Sequence, residues 1–315
     1  MRKNKLDCIL TCSFYYSQDQ AWIGAAHHKS IPFLLWHKEA TKYTKAIMET
    51  SARYYAERMF WLGKDPILGD IIVRDYQERD TILMAGLCKE KNIHVIGTMR
   101  YDRIYRLDKS NKIKKPRRQV TLFSPMLVLP GMDALPQNIK KITLNPKEGI
   151  VEYFYKVHGA IAELASQNPE TDFIIKPKWE FRWVKLIEES IWKESGLKVA
   201  SIPNLVITTE FSAQQLIENS RVVIGVSSTT LLEAKLFKRH TIIPYFSEVS
   251  QEYRDFVMFY DDFDQEFIVA RSKNELKSTV MKHVNMKNLS SPMHVDRINH
   301  YLAYYDGKTI DRFSS

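Results

Sequence analysis

The chain has 315 residues, 44% of them hydrophobic, with only 11 Gly and 12 Pro; that is enough apolar material for one large or two ordinary globular domains, and it excludes a low-complexity or linker-like protein. Its cysteines, Cys8, Cys12 and Cys88, are too few and too irregularly spaced for a disulfide framework or a zinc site, which favours a reducing, cytoplasmic setting. The formal net charge of +9 favours an anionic partner, and no apolar run reaches the length of a membrane-spanning helix.

The start of the chain is basic and then apolar, but the apolar stretch is short and contains Asp7. It reads as a first strand, Asp7–Thr11, rather than as a signal peptide. Further runs rich in β-branched or aromatic residues follow at Pro32–Trp36, Asp70–Val73, Ile93–Ile96, Val120–Phe123, Phe173–Ile175, Leu205–Thr208, Val222–Gly225 and Thr241–Pro244. Segments with helical spacing separate many of them. The clearest are 41–62, the stretch after Glu148 that closes at Asn168-Pro169, Ser212–Asn219 with Ser212 as N-cap, Thr230–Phe237, and a final amphipathic helix over 294–305. Such alternation predicts βαβ units and parallel sheets. Apolar content drops near 105–119, where Lys and Arg dominate. The chain therefore divides into a first domain over 1–112, a second over 113–292, and a C-terminal helix and tail over 293–315. The basic run Lys112, Lys114, Lys115, Arg117, Arg118 reads first as a solvated linker and second as a peripheral membrane contact. Nucleic acid ranks last, because no aromatic residue is interleaved.

Residues 219–247 carry the most chemistry. A buried strand (Val222–Gly225) hands over through Ser227, Ser228, Thr229 and Thr230 to a short helix, and a second buried strand follows. Backbone N–H groups and hydroxyls at a helix start make a cradle for an anion such as pyrophosphate. The place is also the carboxyl end of a strand, where open α/β sheets bind ligands. Glu233, one turn on, is positioned to accept from ribose hydroxyls. The alternative is a capping box, Thr230-x-x-Glu233, with no role beyond the helix.

The pattern Asn-Ser-Arg-Val-Val-Ile-Gly-Val-Ser-Ser-Thr-Thr-Leu-Leu-Glu-Ala, followed by Pro, resembles the donor-domain signature of GT-B glycosyltransferases. The likeness is greatest to bacterial capsule and lipopolysaccharide enzymes, including Kdo transferases and CDP-glycerol glycerophosphotransferases. It implies an α/β protein of two Rossmann-like domains, the N-terminal one short or truncated. In that family the Ser/Thr turn holds the donor phosphate and the Glu holds the ribose, which assigns those roles to Ser227, Ser228, Thr229 and Glu233. Phe173-Ile174-Ile175-Lys176-Pro177 resembles the family's strand ending in Lys-Pro-His-Pro, with Lys176 a phosphate contact, but Lys178-Trp179 stands where His-Pro is expected. Leu122-Phe123-Ser124-Pro125 resembles the first donor-domain strand and loop, with Ser124 near phosphate. In the first domain, Gly97-Thr98-Met99-Arg100-Tyr101-Asp102 resembles the segment that closes the acceptor domain.

The resemblance implies a metal-independent transfer of sugar from a CMP-, CDP- or UDP-linked co-substrate to a surface glycan or lipid-linked acceptor, with no other cofactor. A nucleotide-sugar 2-epimerase of the same fold, or a non-catalytic glycan- or lipid-binding relative, is the alternative. Proton abstraction falls to Glu39 or His37, at the end of a first-domain strand; their other reading is a polar loop. Asp262-Phe263-Asp264 has the form of a metal-binding D-x-D, but this short motif is expected to be an acidic loop. His27, His28 and His94 form no metal spacing.

Overall fold

The computed structural model describes residues 6–14, 16–37, 44–63, 66–67, 69–125, 149–178, 181–226, 228–251, 254, 263–290 and 293–314. The chain forms two compact units, Met1–Arg106 with His294–Ser315 and Leu107–Met293. The first begins β1 (Ile9–Thr11), α1 (Ser17–Lys29), β2 (Phe33–Trp36), α2 (Lys45–Met59), β3 (Ile71–Val73), α3 (Tyr76–Met84), β4 (Ile93–Val95) and α4 (Met99–Lys109). Its four strands are parallel in the order β1-β2-β3-β4, with Ile9 opposite Phe33, Leu35 opposite Ile71 and Ile71 opposite Ile93. Phe14, Ile23, Leu35, Tyr55, Ile71, Val73 and Ile82 make the core beneath them. Caps set the helix starts: the Thr44 hydroxyl accepts from the Ile47 N–H at 3.3 Å, and Asp75 accepts from the Glu78 N–H at 2.9 Å.

The second unit comprises β5 (Gln119–Phe123), α5 (Ile150–Gln167), β6 (Asp172–Lys176), α6 (Phe181–Ser195), β7 (Leu205–Ile207), α7 (Ala213–Asn219), β8 (Val222–Ile224), α8 (Thr230–Leu236), β9 (His240–Pro244), α9 (Phe263–Glu266), β10 (Ile268–Ala270) and α10 (Lys273–Asn285). Its sheet is parallel, in the order β10-β9-β8-β5-β6-β7. Every residue of β5, β8 and β9 is buried. Successive strand side chains point to opposite faces, so the centre of this sheet is covered on both sides, which is why these strands read as unbroken apolar runs rather than alternating ones. The N-cap expected at Ser212 is formed, and Gln215 completes it as a capping box. The chain ends with α11 (Val295–Leu302) and α12 (Thr309–Ser314), both in the first unit. There Thr309 donates through its N–H and hydroxyl to the two oxygens of Asp102, at 3.0 and 2.8 Å.

The α/β class and the two parallel sheets agree with the sequence reading. Three differences have physical causes. The helix expected over 41–62 tightens to a 3-10 turn at Phe60–Leu62, closed by Gly63 at φ 79°. The last amphipathic helix stops at Leu302 because Ala303 turns left-handed, φ 56°. Strand β10 went unforeseen, since three residues are too few to show a period. No described helix is long and apolar enough to cross a membrane.

Candidate functional site

The second sheet fixes the location. Counting outward from β5, the chain lays down β6 and β7 on one side, then returns to lay β8, β9 and β10 on the other. From the adjacent carboxyl ends of β5 and β8 the chain therefore goes on to strands on opposite sides of the sheet, the position where open α/β sheets bind ligands. Gly225 keeps the two strands close there: a Cβ at this position would lie 3.2 Å from Leu231 Cδ2 and 3.6 Å from Phe123 Cβ.

Three of the sequence-predicted residues come together at this edge. Ser124 follows β5, and Lys176 ends β6 directly opposite Phe123; the Ser124 N–H donates to the Lys176 carbonyl at 3.0 Å. The Lys176 ammonium reaches the Thr209 carbonyl at 3.2 Å, and partial burial holds its pKa below the usual lysine value. Partial burial disfavours the charged amine, and an anion beside it would offset that cost. Ser228 follows β8. Its Oγ lies 2.7 Å from the Thr230 hydroxyl and accepts from the Thr230 N–H at 3.3 Å. Ser228, Thr229 and Thr230 are all partly exposed. Ser227 lies outside the described residues.

Thr229 is the N-cap of α8, with helical angles and no side-chain capping bond. The capping box imagined for Thr230 and Glu233 is therefore not formed, because the helix begins one residue too early for it. Glu233 is 1% exposed, within a helix whose residues Leu231–Leu236 are all buried. At seven residues α8 is short, so its dipole adds only modestly to the charge at its start.

Sequence reasoning missed a fourth participant, His158. It sits on α5, fully buried, with Nδ1 2.6 Å from the Phe154 carbonyl and Nε2 3.0 Å from the Ser124 hydroxyl. Burial lowers its pKa from 6.5 to about 4, so the ring is neutral. Thirty-odd residues of chain separate it from Ser124, and only its place on a strongly amphipathic helix marked it, as a core residue.

In the first unit His37 follows β2 and is 1% exposed. Its Nδ1 is 2.9 Å from Glu78 Oε1, and its ring lies 5.0 Å from that of Phe14. Tyr55 donates its hydroxyl to the same Glu78 oxygen at 3.4 Å. Glu78 was another residue the sequence did not single out. Glu39 lies outside the described residues.

The amino edge of the second sheet resolves the basic run. Lys112, Lys114, Lys115 and Arg117 are exposed, but Arg118 is not a solvated linker residue: it donates to Glu170 (3.0 Å), Asn285 (2.9 Å) and Thr171 (2.9 Å). Arg221 donates to the Met286 carbonyl, so both arginines gather at the negative end of α10. With Lys115 and Lys287 they line a cleft of about 420 Å³. Asp261 and Asp262 lie outside the described residues, and among the described residues no three His, Cys, Asp or Glu side chains gather as metal ligands.

No model of a known protein family and no curated protein sequence matches the chain. Solved structures do match its fold. UDP-GlcNAc 2-epimerase from Methanocaldococcus jannaschii superposes with a TM-score of 0.54 at 15% identity, over 98% of this chain and 76% of that one. The Neisseria meningitidis UDP-GlcNAc 2-epimerase, solved with UDP-GlcNAc, gives 0.50 at 13% identity, over 98% and 76%. The wall teichoic acid polymerase TagF, soaked with CDPG, gives 0.51 at 10% identity, over 98% and 71%. The fold is thus the two-sheet Rossmann-like α/β architecture shared by GT-B enzymes and nucleotide-sugar 2-epimerases.

Proposed function

We propose that this chain is an enzyme acting on a nucleotide-activated sugar, and that it grips the nucleotide at the carboxyl edge of the second sheet. The observation that carries the reading is the reversal of strand order between β5 and β8, with Ser124, Lys176 and Ser228–Thr230 emerging at the ends of adjacent strands. Lys176 supplies charge, and the turn after β8 supplies hydroxyl and backbone donors for a diphosphate. The family resemblance adds Ser227 and Thr229 for phosphate and Glu233 for ribose. The net charge of +9 suits an anionic co-substrate, CMP-, CDP- or UDP-linked.

Two chemistries fit this grip. The first is 2-epimerisation of the nucleotide-linked sugar, supported by the likeness in fold to the epimerases. The second is transfer of the sugar to a surface glycan or lipid-linked acceptor, supported by the resemblance of residues 219–234 to a donor-domain signature and by the likeness to TagF. Both need a proton acceptor. His37 is buried against Glu78, so we assign proton abstraction to Glu39 and a supporting place to His37.

A thermal-shift panel of CMP, CDP, UDP and GDP tests the grip: at least one nucleotide raises the melting temperature of the wild type and raises that of Ser228→Ala less. No shift with any nucleotide sinks the proposal. Incubation with UDP-GlcNAc alone then separates the chemistries. Conversion without an acceptor establishes the epimerase, whereas consumption only when a glycan acceptor is added establishes the transferase. Either activity survives EDTA, and Glu39→Gln abolishes it while leaving nucleotide binding intact.

A further inference from the structure

We propose that Ser124 meets its ligand as a hydrogen-bond acceptor, so that at this position the edge reads a hydroxyl or N–H of the bound molecule and not a phosphate oxygen. The identity of the ligand rests on the nucleotide-sugar reading above; the position of the proton does not.

The argument starts at Phe154. A carbonyl oxygen only accepts, so the 2.6 Å contact between it and His158 Nδ1 places a proton on Nδ1. The ring is fully buried, and burial disfavours a second proton. Nε2 therefore carries a lone pair. Its hydrogen-bond neighbour is the Ser124 hydroxyl at 3.0 Å, which must then be the donor. The Pro125 carbonyl, 3.1 Å from the same Oγ, competes for that proton. A hydroxyl has only one proton to give, however. Giving it to Pro125 would leave Nε2 buried with an unmet lone pair, which costs more than the second bond gains.

With its proton spent on His158, Ser124 presents only lone pairs at the carboxyl end of β5. A phosphate has no donor to offer them and would be repelled. A ribose or sugar hydroxyl, or the N–H of a base, completes the oxygen's bonding. This reverses the role that the resemblance implies for Ser124 and divides the labour at the edge. Lys176 and the turn after β8 take the phosphates, and β5 takes a neighbouring donor group. His158 is on this view a positioning residue: it never touches the ligand but fixes which way the serine hydroxyl points.

Two measurements decide it. The first is the affinity of wild type and Ser124→Ala for UDP, CDP, 2′-deoxy-UDP and inorganic pyrophosphate by calorimetry. Ser124→Ala weakens the better-bound ribonucleotide by about 3- to 10-fold, the size of one neutral hydrogen bond, and leaves pyrophosphate unchanged. If the loss disappears with 2′-deoxy-UDP, the 2′-hydroxyl is the donor; if it persists, the donor is another hydroxyl or the base. Equal losses for nucleotide and pyrophosphate, or no loss for any nucleotide the wild type binds, overturn the proposal. The second measurement is nitrogen-15 NMR of the histidine side chains. His158 shows a protonated Nδ1 and a bare, hydrogen-bonded Nε2, whose signal moves towards that of a free imidazole nitrogen in Ser124→Ala. A proton on Nε2 overturns the assignment even in a protein that binds nucleotide. A wild type that binds no nucleotide ends the functional reading and the ligand contact with it, while the NMR result still reports where the proton lies.

Discussion

The two sheets are both parallel, yet their carboxyl edges differ in kind. At the edge of the first, His37 and Glu78 are 1% and 3% exposed and lie 2.9 Å apart, beside Phe14 and Tyr55. At the edge of the second, Ser124, Lys176 and Ser228 remain partly exposed. Strand order explains the contrast. In the first sheet each new strand is added on the same side, so right-handed crossovers send the connecting helices to one face, and α2 packs on α3. In the second the direction reverses at β5. The connections of β5 and β8 then go to opposite faces, where α5 packs with α6 and α8 with α7. Beside the reversal Ser124, Lys176 and Ser228 stay partly exposed, whereas beside the steady progression His37 and Glu78 are buried.

If the buried pair of His37 and Glu78 supports the fold, breaking it costs stability above all. Glu78→Ala removes the buried carboxylate that His37 and Tyr55 share, at a cost of about 4 kcal/mol. A urea titration checks this. A loss below about 1 kcal/mol would mean that the edge relaxes and is not sealed.

The next effect tests the support beneath the second edge through pH. Burial lowers the pKa of His158 from 6.5 to about 4. The unfolded chain thus takes up this proton at higher pH than the folded one. The stabilisation is complete above about pH 6.5 and is lost as pH falls towards about 4, where the folded ring also protonates. One proton over that window is worth about 3 kcal/mol. His158→Gln removes that part of the slope, so the difference between the two stability profiles narrows as the solution is acidified. Parallel profiles would show that the folded ring takes up its proton as readily as the unfolded one, and the orientation of Ser124 would lose its support.

The sequence announced the second edge better than the first, and the reason is distance along the chain. Strands such as Val222–Ile224 are buried on both faces, and the turn after them is contiguous, so residues 219–247 carried strand, turn and helix in one window. Ser124 and Lys176 were legible as the ends of their strands. Their relationship was not, since it arises from the pairing of β5 with β6. His158 and Glu78 escaped because each meets its partner across a fold rather than along a helix turn or strand. A lone His on an apolar helix and a Glu in a first turn look like a core residue and a solvated one. Arg118 escaped for the same reason: its anchors Glu170, Thr171 and Asn285 lie more than fifty residues away.

If the partly exposed second edge holds the ligand, removing the charge at Lys176 lowers affinity more than stability. Lys176→Met keeps the stem that covers the strand end and removes the charge. Its ammonium donates to the Thr209 carbonyl at a partly exposed position, so the cost in stability stays within about 0.5 kcal/mol. The affinity for a nucleoside diphosphate falls about 10-fold, as expected when one partly desolvated charge is withdrawn from a phosphate. The binding also loses part of its salt dependence, which titration at two ionic strengths will show.

The smallest effect belongs to Ser228. Its oxygen already serves the start of α8 by accepting from the Thr230 N–H and meeting the Thr230 hydroxyl. Ser228→Ala therefore costs about 0.5–1 kcal/mol in stability, the size of a weak cap. The ligand loses one neutral donor, for which the Thr230 hydroxyl, released from Ser228, partly substitutes, so nucleotide affinity falls only about 3-fold. The double variant with Lys176→Met separates charge from hydroxyl. Losses that add show two independent grips on the diphosphate. A Ser228→Ala loss larger than that of Lys176→Met would instead show that hydroxyl geometry dominates at this edge, and that the charge at the end of β6 serves the fold more than the ligand.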